Sequence, residues 1–152
     1  MNARLDYFNA APEGFQLLLQ QEQYLRDQFE QLPNLSVTLW ELLKLRVSQI
    51  NQCAFCIDMH SNEALKNGDS IDRLLGLNAW NEMPMYSENE KIALHWAESL
   101  SLNRVATEQE YQSVTSAFGE QGVVVLTLAV NAINSWNRIA KTFKPVIGSL
   151  SS

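Results

Sequence analysis

Apolar residues recur at helical spacing from one end of this chain to the other, and no alternating, period-two stretch competes with them. That patterning narrows the fold class to all-α: a helical bundle of about six to seven helices. In "VTLWELLKLRVSQI", Trp40, Leu43, Val47 and Ile50 share a face, and Ser36 stands where an N-cap belongs. The spacing predicts further helices over about 13–30, 53–66, 71–80, 88–102, 108–118 and 122–142. Phe15, Leu18, Leu19 and Leu25 are among the apolar positions of the first. Pro33, which lacks an amide hydrogen, stops that helix, Asn51-Gln52 interrupts the chain before the third, and Asn67-Gly68 offers a left-handed cap. Ser87-x-x-Glu90 and Thr107-x-x-Glu110 have the spacing of capping boxes.

The chain has 152 residues, and a domain of that length buries roughly 68–70% of the surface its unfolded chain exposes. It needs no staple to hold a core. No repeat, low-complexity tract or Gly/Pro/Ser-rich linker divides it, so the expectation is one domain over 1–152, with a helical extension over about 1–35 and a motif-bearing core over about 36–142. With 11 Lys and Arg against 17 Asp and Glu, the net charge of −6 leaves no basic footprint. The reading is therefore no nucleic acid and no membrane. The most apolar segment, Val123–Val130, falls far short of the ~20 residues of a membrane span. The start, "MNARLDYFNAAPEGF", has no secretory pattern, and a cytoplasmic location is expected.

Chemistry concentrates in "CAFCIDMH", which holds both cysteines and one of the two histidines. In a reducing compartment a close cysteine pair points to metal binding or redox cycling. At a helical step of about 100° per residue, Cys53, Cys56 and His60 lie within an arc of about 60°. A helix N-terminus favours thiolate over thiol, and the C-x-x-C spacing lets one sulfur capture an oxidised form of the other. His60, one turn past Cys56, can hydrogen-bond its sulfur. Two other readings stay open. The cysteines can be small core residues beside an interior histidine, or Cys53, Cys56, His60 and His95 can supply the four ligands of a structural zinc site.

Elsewhere, His95 reads as an amphipathic-helix histidine, and Trp80 and Trp96 as packing anchors. Thr127, Asn131, Asn134 and Arg138 gather on one face of the last helix. They form either a solvated face or a polar seam, at a subunit contact or beside the site.

A glutamate, Glu41, precedes Cys53 by twelve residues in "ELLKLRVSQINQCAFCIDMH", giving Glu, then C-x-x-C-x-x-x-H. This motif resembles the alkylhydroperoxidase D-like (AhpD-like) branch of the carboxymuconolactone decarboxylase superfamily, in particular its peroxidase-related members, over about Glu41–Lys141. The resemblance implies an all-helical domain assembling as homotrimers or homohexamers, with thiol peroxidase activity that uses no haem, flavin or metal cofactor. By position it makes Cys56 the peroxide-attacking cysteine, Cys53 the resolving cysteine, Glu41 the base and His60 its relay. It also implies a small hydroperoxide as substrate and an external dithiol or lipoyl-bearing protein as reductant, with a peroxiredoxin as a further electron partner. One departure stands out: Phe55 occupies the position where the best-characterised members carry a second histidine, and it cannot shuttle a proton. A weaker relay is expected. The alternatives are a non-catalytic oligomeric module, redox-sensing or zinc-stabilised, and a decarboxylase of the wider superfamily. The second is disfavoured because that chemistry uses no cysteine pair.

Overall fold

The computed structural model describes residues 3–150; Met1, Asn2, Ser151 and Ser152, the ends of the expected 1–152 unit, lie outside the described residues. It is all-α, with no strand among those residues. A short α1 (Tyr7–Ala10) leads into α2 (Pro12–Gln31), which Pro12 opens from the first turn, where its missing amide costs nothing. Phe15, Leu25 and Phe29 face inward, but Leu19, expected on the apolar face, is half exposed, and Leu17 is more exposed still.

Helix α3 (Val37–Ile50) starts at the predicted cap: the Ser36 hydroxyl accepts the Leu39 amide at 3.1 Å. It is the hub of the fold, packing against α2, α4 (Ala54–Lys66), α6 (Glu88–Ser101) and α7 (Glu108–Phe143). An encircled helix buries every side, so Leu39 through Leu45 are all buried, Glu41 and Lys44 included. The helix ends in a Schellman turn. The Cys53 amide donates to Ser48 O at 3.0 Å and the Gln52 amide to Gln49 O at 3.1 Å, with Gln52 at φ 53°. Two more helices end the same way, α4 around Gly68 and α6 around Asn103.

Two boundaries differ from the sequence reading. Helix α4 starts at Ala54, so Cys53 is its N-cap, in an extended conformation (φ −90°, ψ 96°), and only Cys56 and His60 lie on the helix proper. The helix expected over 71–80 is α5 (Ile71–Gly76) followed by a tighter 3-10 segment, Leu77–Glu82, broken at Ala79. That segment turns Leu77 and Trp80 into the core while the Tyr86 hydroxyl donates to Arg73 O. As expected, α7 consists of two helical arms that meet at Gly119, whose φ of 75° and ψ of 171° lie outside the helical range and suit glycine. Its start carries the full capping box between Thr107 and Glu110.

Embedded in α7, the apolar segment Val123–Val130 belongs to a helix long and apolar enough to cross a membrane by length and composition, contrary to the shorter stretch read from sequence. Half of its most apolar stretch is buried inside the fold, against α2, α3, α4 and α6. Trp80 and Trp96 are buried anchors, as expected. Their indole N–H groups donate to Glu98 Oε1 (2.7 Å) and Thr127 Oγ1 (3.1 Å).

Candidate functional site

The Schellman turn delivers Cys53 to the N-terminus of α4, where its sulfur accepts the Cys56 amide at 3.3 Å. The two cysteines are joined as a disulfide with Cα atoms 5.3 Å apart, within the range such a bond requires. Both are buried, in a small apolar cluster with Ala140 of α7 and a half-buried Phe55. The position where a second histidine was absent from the sequence is therefore occupied by a packing ring.

One turn after Cys56, the buried His60 meets Glu41 of α3: its Nδ1 lies 3.2 Å from Glu41 Oε2. The other carboxylate oxygen, Oε1, takes the ammonium of Lys44 at 2.6 Å. Burial pushes the Glu41 carboxyl up, but the His60 hydrogen bond and the Lys44 charge outweigh it and hold its pKa below the ordinary value. Glu41 is thus a carboxylate, which only accepts hydrogen bonds. His60 must then donate from Nδ1–H, which leaves Nε2 of a neutral ring as the free base. Of the four residues that the motif singles out, the fold brings Glu41 and His60 together, and likewise Cys53 and Cys56.

 

Sequence reasoning passed over Lys44, although a lysine three residues after Glu41 in an otherwise apolar helix is a signal that two charges are buried together. The Lys44 ammonium also sits 3.6 Å from the centroid of the Trp40 ring, which stacks on the ring of Phe29.

A polar clamp from α7 holds the turn that precedes the cysteines. Asn51 Nδ2 donates to Asn134 Oδ1 (2.8 Å) and Asn137 Oδ1 (2.9 Å), Asn137 Nδ2 donates to Ser48 Oγ (3.0 Å), and Lys141 Nζ donates to Asn51 O (2.7 Å). The polar face of the last helix therefore divides. Asn134 is buried in a seam beside the site, Thr127 is half-buried under Trp96, and Asn131 and Arg138 are exposed. Asn137 and Ser48, both fully buried, were missed because a polar residue next to a solvated face carries no sequence mark of burial.

The four residues of the zinc reading are not brought together. Cys53 and Cys56 bond to each other, and the exposed His95 pairs through Nε2 with Glu110 Oε1 at 2.6 Å, at the start of α7. Among the described residues no group of three or more His, Cys, Asp or Glu could hold a metal ion.

The sequence profile of the carboxymuconolactone decarboxylase family matches residues 17–99, more than half of the chain, from within α2 to near the end of α6. The chain belongs to that family. Within the family it is AhpD-like. It is 40% identical over 142 residues to the uncharacterized protein YdfG of Bacillus subtilis (strain 168), covering 92% of this chain and 93% of that one. A solved structure from Agrobacterium tumefaciens, of a protein of unknown function with a provisional attribution to antioxidant defence as AhpD, superposes with a TM-score of 0.85 at 33% identity. It covers 94% of this chain and 96% of its own. An uncharacterized peroxidase-related protein from Silicibacter sp. TM1040 shares the fold, with a TM-score of 0.79 at 17% identity, over 90% of this chain and 71% of its own.

Proposed function

We propose that this AhpD-like protein is a cofactor-independent thiol peroxidase and disulfide reductase acting on small organic hydroperoxides. The observation that carries the reading is the Cys53–Cys56 pair set one helical turn from a histidine whose Nδ1 is held by a buried carboxylate. In this reading His60 Nε2 takes the Cys56 thiol proton, and Glu41 orients the ring and stabilises its charged form, the division of labour of an activated nucleophile. The Cys56 thiolate attacks the terminal oxygen of the hydroperoxide. The O–O bond breaks, the alcohol leaves with a proton, and Cys56 becomes a sulfenic acid. The Cys53 thiol then attacks that sulfur, water leaves, and the disulfide seen here results. An external dithiol, small or lipoyl-bearing, returns both cysteines to thiols as it becomes a disulfide itself; a peroxiredoxin is a further electron partner in this reading.

The family sets the remaining expectations: assembly as a homotrimer or homohexamer and a cytoplasmic location. Phe55 and Ala140 line the disulfide with apolar surface, which favours a hydroperoxide with an organic tail over one without. The test is a count of free thiols in the reduced protein before and after cumene hydroperoxide. Loss of both thiols per chain, abolished by Cys56→Ser, supports the reading; two thiols that survive the oxidant refute it.

A further inference from the structure

Lys44 has no role in the motif, yet the chain buries its charge at the heart of the fold. Its ammonium lies 2.6 Å from Glu41 Oε1 and 3.6 Å from the centroid of the Trp40 ring, and its side chain is only 9% exposed. Stability alone does not account for the pair, since well-packed apolar residues in place of both partners are often at least as stable. What the pair does supply is a fixed partition of the carboxylate, one oxygen to Lys44 and the other to His60.

We propose that Lys44 is a positioning residue for the thiol chemistry: it keeps Glu41 ionised and holds Oε2 on His60, and so sets the lower pH limit at which Cys56 can be activated. The inference rests on the peroxidase reading for its biological meaning, but it concerns the thiol itself and can be tested without peroxide. The cation is secured from both sides, by the carboxylate and by the π-face of Trp40, which Phe29 backs at 5.5 Å. No other ion pair reaches Glu41 among the described residues. From α4 it meets His60; from α2, Arg26 approaches only the Trp40 ring, at 5.7 Å; from α6, Glu98 pairs with Arg46; and from α7, Lys141 bonds to Asn51 O. Removing Lys44 therefore leaves burial acting on Glu41 with only His60 to oppose it.

The experiment measures the rate at which iodoacetamide alkylates Cys56 in the fully reduced protein from pH 5 to 9, read at the Cys56 peptide by mass, for wild type, Lys44→Met and Lys44→Arg. In Lys44→Met the acid limb moves to higher pH by about one unit, so alkylation at the foot of the wild-type limb falls about tenfold while the alkaline rate is nearly kept. Lys44→Arg, which keeps the charge, restores the wild-type limb. A loss in Lys44→Met that is even across pH, or an unmoved limb, overturns the proposal.

Should Lys44→Met fail to fold, the double variant Glu41→Gln/Lys44→Met removes both charges and is compared with Glu41→Gln alone. Identical pH profiles support a role exercised through Glu41, and a further shift in the double variant overturns it. Thiol loss with cumene hydroperoxide is followed in parallel. A moved limb in a protein that does not react with the peroxide refutes the peroxidase reading and leaves the role of Lys44 in thiol activation standing.

Discussion

Glu41 shows what a single residue's surroundings decide. On a helix surface a glutamate is solvated and unremarked; here α3 is wrapped on all sides, and the carboxylate is buried between Lys44 and His60. Its pKa is lowered, so the folded state releases the Glu41 proton more readily than the unfolded chain does. The stability this supplies is complete above the ordinary carboxyl value of 4.5 and is lost as pH falls through the lower folded value. Glu41→Gln removes that dependence. It also leaves Lys44 charged and buried without its counter-ion, a change that costs about 3–5 kcal/mol. Urea unfolding between pH 7 and 3 checks both: the variant is less stable at neutral pH, and its stability falls less steeply on acidification than that of the wild type. In the thiol reaction, Glu41→Gln slows Cys56 more at neutral than at alkaline pH, because alkali supplies thiolate without a base. An equal loss at every pH would assign Glu41 a structural part only. Glu41 was singled out in the sequence only through the family resemblance and its distance from the cysteines; its counter-ion was not, because whether Lys44 faces solvent depends on which helices surround α3.

At the scale of elements, turn chemistry was the most legible part. Ser36, Ser87 and Thr107 cap their helices as their spacing predicts, and Gly68 takes the left-handed position after α4. The interruption at Asn51-Gln52 is equally real. Its form, a Schellman turn with glutamine in the left-handed position, places Cys53 as the N-cap of α4 instead of within its first turn. Gln52 bears a steric cost there that glycine would not, so Gln52→Gly is expected to raise stability by about 1 kcal/mol. Thermal unfolding of the oxidised protein checks it, and a lower Tm would show that the Gln52 side chain contributes more than its backbone costs. The break near Gly119 was legible too: its backbone leaves the helical range and separates the two arms of α7. The clamp of Asn134, Asn137 and Lys141 on Asn51 was not legible: it joins residues more than eighty positions apart, and nothing in either segment announces the other.

At the scale of the whole molecule, the hub helix α3 is what makes a site out of dispersed parts. It contributes Glu41 and Lys44 near its middle and, at its C-terminal end, the turn that presents Cys53, while α4 brings Cys56 and His60 against it and α7 braces the turn from outside. Both sulfurs are buried in the disulfide form, so the packing that brings these residues together also restricts what can reach the sulfurs. The measurement that tests the central claim most directly is the intact mass of the fully reduced protein after one equivalent of cumene hydroperoxide, run beside Cys53→Ser and Cys56→Ser. The account predicts that the wild type loses about 2 Da as its disulfide closes, that Cys53→Ser gains about 16 Da as a sulfenic acid, or about 138 Da once dimedone has trapped it, and that Cys56→Ser is unchanged. Oxidation that proceeds in Cys56→Ser, or a wild-type mass that does not move, contradicts it.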